Sequence, residues 1–290
     1  MNYVMLISAA FLLAVDFSIN KLYQRRVGTG LLAGLGFNAL IGIFSAIIFF
    51  AASGFRVGFS IYSLITAAIF TLFVMTYNII GFRIMKGGSM AIYTLFLMTG
   101  GMLIPYIWGI AFLEESFAPL RLVGIIIMVF AVALSNFGKE KISIWQIIMC
   151  ISVFLLNGFT SVTSKLHQIE SVHETVDAID FVVLVGICKF VISGIAYIVV
   201  RLRGKNENHA SILGGRECLL IAASALISGF SFFLQLLGAV NLPATVLYPI
   251  LTGGTMILSA LAGVLLFKDK LTRNNVIGLI LCFIGTLLFL

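Results

Sequence analysis

The chain has 290 residues, of which 61% are hydrophobic and only 10% are charged, and its mean hydropathy is +1.17. A soluble globular domain carries about 25% charged residues, so the composition excludes that class and indicates an integral membrane protein. The net charge of +7 does not indicate a nucleic-acid partner, because basic residues in a membrane protein first set its orientation. We expect the lipid bilayer, and no nucleic acid, as a partner.

Ten apolar segments follow one another along the chain, and each is long enough, or nearly so, for a helix that crosses the bilayer. The segments are longer than barrel strands and do not alternate in polarity, and lipid-exposed backbone must satisfy its own hydrogen bonds. We therefore predict an all-α integral membrane protein with ten transmembrane helices in one membrane domain. The predicted spans are 2–23, 30–52, 60–83, 89–113, 118–137, 144–165, 178–200, 217–238, 242–267 and 273–290.

Two internal repeats organise these segments. Residues 89–134 and 242–290 each read as two apolar helices joined by a short acidic turn, and residues 6–24 match residues 150–168 at an offset of 144. Such self-similarity must be recognised before a fold is predicted. The matched positions are Thr99-Gly100-Gly101 with Thr252-Gly253-Gly254, Glu115 with Asp269, Gly124 with Gly278, Ser8 with Ser152, Lys21 with Lys165, and Gln24 with Gln168.

The repeats divide the chain into two halves of five helices, residues 1–138 and 139–290. Because five is odd, the second half must cross the membrane in the opposite sense to the first. We predict two inverted five-helix repeats, the symmetry on which many secondary transporters are built.

The sequence resembles the drug/metabolite transporter superfamily, in its ten-helix EamA-type branch. The resemblance is carried by the two five-helix repeats, the Phe17-x-x-x-Lys21 end of the first helix, the small residues of the fourth and ninth helices, and the acidic turns followed by a helix that opens with Gly. One departure is that Leu13-Ala14-Val15-Asp16 stands where the family usually has Trp-Gly-Ser-Asn. An acid in the first helix resembles the small multidrug-resistance branch instead.

The function predicted from these features is secondary active transport across the plasma membrane by alternating access. We expect an exporter of a small polar or amphipathic metabolite, such as an amino acid or an organic cation. A flippase for a lipid or a lipid carrier is an alternative with the same fold, and an intramembrane enzyme is a second one. The sequence contains no HExxH, GxSxG or GxxxxGK[ST] motif, so we expect no catalytic residue, no metal and no cofactor. A monomer and a homodimer both remain open.

Twelve polar residues fall within the predicted spans of both halves. Polar side chains in a membrane usually face the bundle interior or a water-filled cavity, although hydrogen bonds between helices also explain many of them. We expect them to line a central cavity in which the first, third and fourth helices face the sixth, eighth and ninth. The candidates are Asp16, Asn20, Asn38, Tyr77, Asn78, Tyr93, Asn157, Ser161, Ser164, Lys189, Gln235 and Tyr248.

Asp16 is the candidate coupling group, because a carboxyl in a partly dehydrated cavity can bind either a proton or a cationic substrate. The alternative is a structural pair with Lys21. Lys189 lies in the middle of a span, where it either faces the cavity or pairs with an acid such as Asp180.

The remaining charges lie at predicted span ends. Lys165 ends the sixth span, where a long basic side chain commonly reaches the headgroups; lining the pathway is the alternative. We expect the acids of the two turns, Glu114-Glu115 and Asp269, to be solvated.

The distribution of basic residues predicts the orientation of the chain. Fourteen Lys and Arg residues belong to the odd-numbered loops, whereas only Arg56, Arg121 and Lys165 belong to the even-numbered ones. The positive-inside rule therefore places the odd-numbered loops in the cytoplasm and both termini outside. The family resemblance implies termini inside. The fourteen residues are Lys21, Arg25, Arg26, Arg83, Lys86, Lys139, Lys141, Arg201, Arg203, Lys205, Arg216, Lys268, Lys270 and Arg273.

We follow the charge count, which predicts that a cysteine introduced beside Arg203 is protected from an impermeant thiol reagent added to intact cells. Permeabilising the cells should expose this cysteine to the reagent. Ready labelling from outside would reject the orientation.

Overall fold

The structure is a computed structural model that describes residues 2–28, 30–86, 90–136, 143–203, 214–268 and 272–289. The predicted boundary between the repeats, at residues 138 and 139, and Asp269 of the second acidic turn lie outside these residues. The described residues form ten helices and no strand: α1 Asn2–Val27, α2 Leu31–Ala52, α3 Ile61–Lys86, α4 Met90–Phe112, α5 Pro119–Asn136, α6 Ile144–Ile169, α7 Ala178–Arg203, α8 Gly215–Asn241, α9 Ala244–Phe267 and α10 Arg273–Leu287.

Eight of the ten helices are long and apolar enough to cross a membrane, which makes the chain a multi-pass membrane protein. The other two, α5 with 18 residues and α10 with 15, are shorter. The start of α10 is fixed by a capping box, because the Thr272 hydroxyl accepts the Asn275 backbone N–H while the Asn275 side chain accepts the Thr272 backbone N–H. The prediction of ten helices is confirmed, and membrane-spanning length is confirmed for eight.

Two apolar clusters form most of the core. One joins α4, α5, α9 and α10, and includes Met128, Leu247 and Phe289. The other joins α2, α3, α7 and α8, and includes Phe49 and Phe181. All helices of these two clusters except α5 and α10 also turn polar residues toward a cavity.

Helix packing follows the two halves of the chain. The pairs α2 and α7, α4 and α9, and α5 and α10 pack against each other, so each of these helices contacts its counterpart in the other half. Helix α1 packs against α8 and α9, and its counterpart α6 packs against α3 and α4. Exchanging α1–α5 for α6–α10 therefore reproduces most of the helix contacts.

Within the described residues the exchange fails at four pairs, and the two most extensive of these involve α8. Helix α8 packs against α6 and α7, but within the described residues α3 makes no corresponding packing against α1 or α2. Helix α8 thus packs against α6 and α7 of its own half, whereas its counterpart α3 does not pack in this way against α1 and α2.

Helices α2 and α7 cross closely through two glycines at the repeat offset, Gly42 and Gly186. A Cβ atom added at Gly42 would lie 2.6 Å from the backbone nitrogen of Phe190 and 2.7 Å from the backbone oxygen of Gly186. Backbone atoms cannot rotate away as a side chain can, so only glycine fits this crossing.

Gly42→Ala should destabilise the fold by about 1–3 kcal/mol, the usual cost of overpacking a tight contact. The matched control is Gly194→Ala in α7, because a Cβ atom there meets nothing within 4 Å. Thermal unfolding of both purified variants in detergent measures the difference. Equal melting temperatures would show that the crossing yields easily.

Candidate functional site

A cavity of about 980 Å³ lies inside the bundle. Its lining comes from α1, α2, α3 and α4 of the first half and from α6, α7, α8 and α9 of the second. The prediction from the sequence named six of these helices as facing one another, and α2 and α7 also line the cavity through Asn38 and Lys189, which were both among the predicted lining residues. These two contribute because their glycine crossing brings them close enough for Asn38 and Lys189 to reach the cavity.

All twelve predicted residues line this one cavity. Sequence analysis did not select several small hydroxyl residues that also line it. Their side chains can bond a carbonyl of their own helix, as Thr160 does with Leu156, so the residue type does not reveal the direction in which it points. These residues are Ser45, Thr71, Thr94, Thr160, Ser193, Ser228, Thr252 and Thr255.

Asp16 is held at the wall of the cavity by neutral donors. The Asn20 side-chain amide, one helical turn away, donates to Asp16 Oδ2 at 3.0 Å, and the buried Ser224 hydroxyl of α8 donates to Oδ1. Sequence analysis did not identify Ser224. The alternative partner Lys21 instead places its ammonium over the Phe267 ring, 4.4 Å from the centroid.

Lys189 faces the cavity from the middle of α7, and Asp16 is the charge that acts on it. The alternative pairing of Lys189 with Asp180 is wrong. The Asp180 carboxylate accepts the Gly58 backbone N–H at 2.8 Å, beyond the end of α2, because the start of α7 lies beside the loop between α2 and α3.

The helices have two ends, which we name for the loops that join them. The odd-loop end carries the connections α1–α2, α3–α4, α5–α6, α7–α8 and α9–α10, and the even-loop end carries the others. The cavity extends to the odd-loop end, where its lining includes Gln24, Arg25 and Asn38.

Toward the even-loop end, the cavity is bounded by hydrogen bonds across α6. The Tyr248 hydroxyl of α9 donates to the Ser161 backbone oxygen at 2.5 Å and lies 3.0 Å from the Ser164 hydroxyl. The Asn157 amide donates to the Leu97 backbone oxygen of α4 at 2.7 Å. These four lining residues thus also hold helices together, as the alternative for polar residues in spans allows.

Glu115 closes the even-loop end by joining the two halves. Its carboxylate accepts the backbone N–H groups of Ala244 and Thr245, at 2.6 and 2.8 Å, in the first turn of α9. The free N–H groups of a helix start and the helix dipole favour an anion there. A solvated Glu115 was predicted, and the prediction is wrong because Gly109 leaves room for the carboxylate to approach α9.

Lys165 binds the other side of the same junction. Its ammonium donates to the backbone oxygens of Ala239 and Leu242, at 2.5 and 2.7 Å, where α8 ends. The side chain is buried, so the prediction that it reaches the headgroups is wrong. Unpaired carbonyl groups at a helix end favour a cation, and no lipid headgroup is needed. The junction of α8 and α9 is therefore held between Lys165 and Glu115.

Further bonds between the halves join the α2–α3 loop and the start of α3 to the α6–α7 loop. The Ser60 hydroxyl donates to the Glu174 backbone oxygen, and the Ser63 hydroxyl accepts the Val176 backbone N–H at 3.0 Å. The Ser63 hydroxyl also lies 2.8 Å from Nε2 of His167, which is buried. The even-loop end is thus sealed by polar contacts, which can exchange for water when they open.

Glu170 lies just after α6 at this sealed end. The Val172 backbone N–H donates to its carboxylate at 2.7 Å and, with the Tyr62 hydroxyl and His173, lowers the pKa of Glu170 to about 2. These contacts stabilise the ionised carboxylate, so the lowered pKa of Glu170 does not favour proton exchange at this residue.

No cluster of three or more potential metal-ligating side chains occurs within the described ranges.

Comparison with known proteins gives the fold and nothing finer. No family model matches the chain, and no curated protein matches it. The chain is similar to a solved crystal structure of a protein, with a TM-score of 0.73 and 15% sequence identity over 99% of this chain and 95% of that one. At this identity the likeness establishes a shared fold only.

Proposed function

We propose that this protein is a secondary active transporter of the ten-helix EamA-type branch of the drug/metabolite transporter superfamily, acting in the plasma membrane. The observation that carries the proposal is the cavity of about 980 Å³, which both halves line and which reaches one end of the bundle while the other end is sealed. Its cargo is a small polar or amphipathic metabolite, which it exports.

The arrangement of the helices supports alternating access by two inverted repeats. Most helix contacts persist when each helix is exchanged for its counterpart, and the most extensive exceptions lie where α6 and α7 pack against α8 without an equivalent at α3. Rocking the halves about the α2–α7 and α4–α9 crossings would exchange the closed arrangement of one half for the open arrangement of the other. The sealed end would then open and the odd-loop end would close.

Asp16 is the proposed proton-coupling group. It is the only acid among the described residues that line the cavity. Its contacts with Asn20 and Ser224 can be kept or rearranged when the carboxyl binds a proton, because both partners can donate or accept.

The test is solute uptake by proteoliposomes that contain the purified protein, with protein-free liposomes as the control. A mixture of amino acids, short carboxylic acids, polyamines and quaternary cations is supplied outside, and mass spectrometry identifies the solutes inside. Selective entry of at least one solute class is expected. A flippase would ignore every soluble metabolite, so the absence of selective entry, together with movement of a labelled lipid, would contradict the proposal.

A further inference from the structure

Lys189 is a cation in the middle of the membrane with unused hydrogen-bonding capacity. It lines the cavity from α7, and no described residue accepts a hydrogen bond from its ammonium or forms a salt bridge with it within 4.0 Å. The acid on its own helix, Asp180, is occupied at the even-loop end by Gly58. The Lys189 nitrogen is not among the buried polar atoms that lack a partner, so it is accessible from the cavity, where an anionic ligand can take the place of water.

Asp16 differs from Lys189 in this respect. Both of its carboxylate oxygens already accept hydrogen bonds, from Asn20 and from Ser224. The one acid among the described lining residues is therefore satisfied by neutral donors. Three basic residues line the same cavity, with Lys21 and Arg25 near its odd-loop end and Lys189 deeper inside. The free hydrogen-bonding capacity is that of the Lys189 ammonium, which is positive and donating.

The lining also offers an apolar surface. Phe70 of α3 and Phe232 of α8 both line the cavity, and their ring centroids lie 5.0 Å apart. Val185 and Val182 of α7, one turn and two turns before Lys189, line it as well. A molecule with one charged end and an apolar body would match both parts.

We propose that the transported molecule is an amphipathic carboxylate whose anionic end binds the Lys189 ammonium. This inference rests on the proposed transport function and narrows its substrate class, because it excludes organic cations that lack a carboxylate. A monoanionic carboxylate is favoured over a dianionic phosphate because the single positive charge of Lys189 offsets one negative charge, and Asp16 already places another near it. The competing explanation is that Lys189 serves only as an electrostatic partner of Asp16.

The experiment measures binding to the purified wild-type protein by thermal shift, since a ligand of the folded state raises the apparent melting temperature. The probes are two sets of three molecules that differ only at one end: 3-phenylpropionate, 3-phenylpropionamide and 3-phenylpropylamine, and hexanoate, hexanamide and hexylamine. We expect at least one carboxylate to stabilise the protein, and its matching amide and amine to have little effect.

The variants assign the effect to one side chain. Lys189→Met should weaken binding of the stabilising carboxylate by at least about tenfold, as expected when a buried charge pair loses one partner. Lys189→Arg, which keeps the charge, should bind it better than Lys189→Met does. Arg56→Met removes a charge at an exposed position outside the cavity and should leave binding unchanged.

The inference is overturned if amides or amines stabilise the protein as well as the carboxylates do, if no probe binds, or if Lys189→Met binds the carboxylate normally. If Lys189→Met does not fold, the comparison of probes on the wild-type protein still decides the question. A carboxylate that binds through Lys189 but does not cross proteoliposome membranes contradicts the proposed function alone. A cation that is transported equally well by Lys189→Met contradicts this inference alone.

Discussion

Asp16→Asn should abolish gradient-driven accumulation of the substrate in proteoliposomes while leaving exchange of substrate without a gradient. One pH unit supplies about 1.4 kcal/mol per proton, which supports about tenfold accumulation of a substrate coupled to one proton. The Asn side chain keeps the shape of the carboxyl but cannot bind the proton, so the accumulation ratio should fall to about one. The measurement is the ratio of substrate inside to substrate outside under an imposed pH gradient.

The direction of accumulation distinguishes the two classes of substrate. A proton and a cation that compete for Asp16 move in opposite directions, so the cation accumulates on the acidic side. A protonated Asp16 no longer offsets the charge of Lys189, so an anion binds together with the proton and accumulates on the alkaline side. The further inference predicts the second result, which in a cell with an acidic exterior corresponds to uptake instead of the proposed export, and it predicts that lower pH tightens substrate binding in the wild-type protein.

The charges around Asp16 are few enough for this test to be specific. On α8, Glu217 pairs with Arg26 at 3.3 Å at the odd-loop end. On α9, the Tyr248 hydroxyl bonds to α6. Lys189 on α7 is thus the charged group that acts on Asp16 across the cavity.

Thr160 provides the matched control, because it occupies the position of Asp16 in the second repeat and lines the same cavity. Its hydroxyl bonds the Leu156 carbonyl of its own helix at 2.8 Å, so Thr160→Val should keep coupled accumulation. Tenfold accumulation by the Asn variant between about pH 6 and 8 would make Asp16 a structural residue.

Glu115→Gln should shift the protein toward a state that is open at the even-loop end. The neutral amide has one acceptor oxygen for the two N–H groups of Ala244 and Thr245 and carries no charge toward the start of α9. A hydrogen bond to a charged group is worth about 1.5–3 kcal/mol, which corresponds to a population change of about 10- to 150-fold. A cysteine introduced at Ser161 should therefore react about 10- to 150-fold faster with an impermeant thiol reagent added from the even-loop side.

The neighbouring acid gives the control for this effect. Glu114 is exposed, so Glu114→Gln makes the same chemical change without touching α9. Unchanged reactivity in the Glu115 variant, or an equal increase in the Glu114 variant, would show that the carboxylate does not hold the even-loop end closed.

The sequence was sufficient to predict the ten helices and the polar lining of the cavity because the bilayer imposes strong rules on both. Apolar runs of membrane length become helices, and polar side chains within them turn away from lipid. Asp16 and Lys189 could be selected by depth alone. The start of α10 at residue 273 was predicted, but the capping role of Thr272, which fixes that start, was not identified.

The contacts at the even-loop end could not be predicted in this way. A charge at the end of a span is usually solvated, and whether it binds another helix depends on which helix packs beside it. Lys165 binds carbonyls more than 70 residues away along the chain, and Glu115 binds amides about 130 residues away. Ser224 was overlooked for the same reason, because a buried serine in a span has no sequence signal for its partner.

Alternating exposure of the cavity is the central claim, and a single cysteine in the middle of α8 tests it without knowledge of the substrate. Ser228 lines the cavity, and Ser228→Cys in a protein whose four native cysteines are replaced is a small change. An impermeant thiol reagent is applied to the reconstituted protein from one side of the membrane and then, in a separate sample, from the other. Alternating access predicts reaction from both sides, faster from the odd-loop side, with prior reaction from one side blocking the other. Reaction from the odd-loop side alone, in the wild-type background and with Glu115→Gln, would mean a fixed cavity and contradict transport.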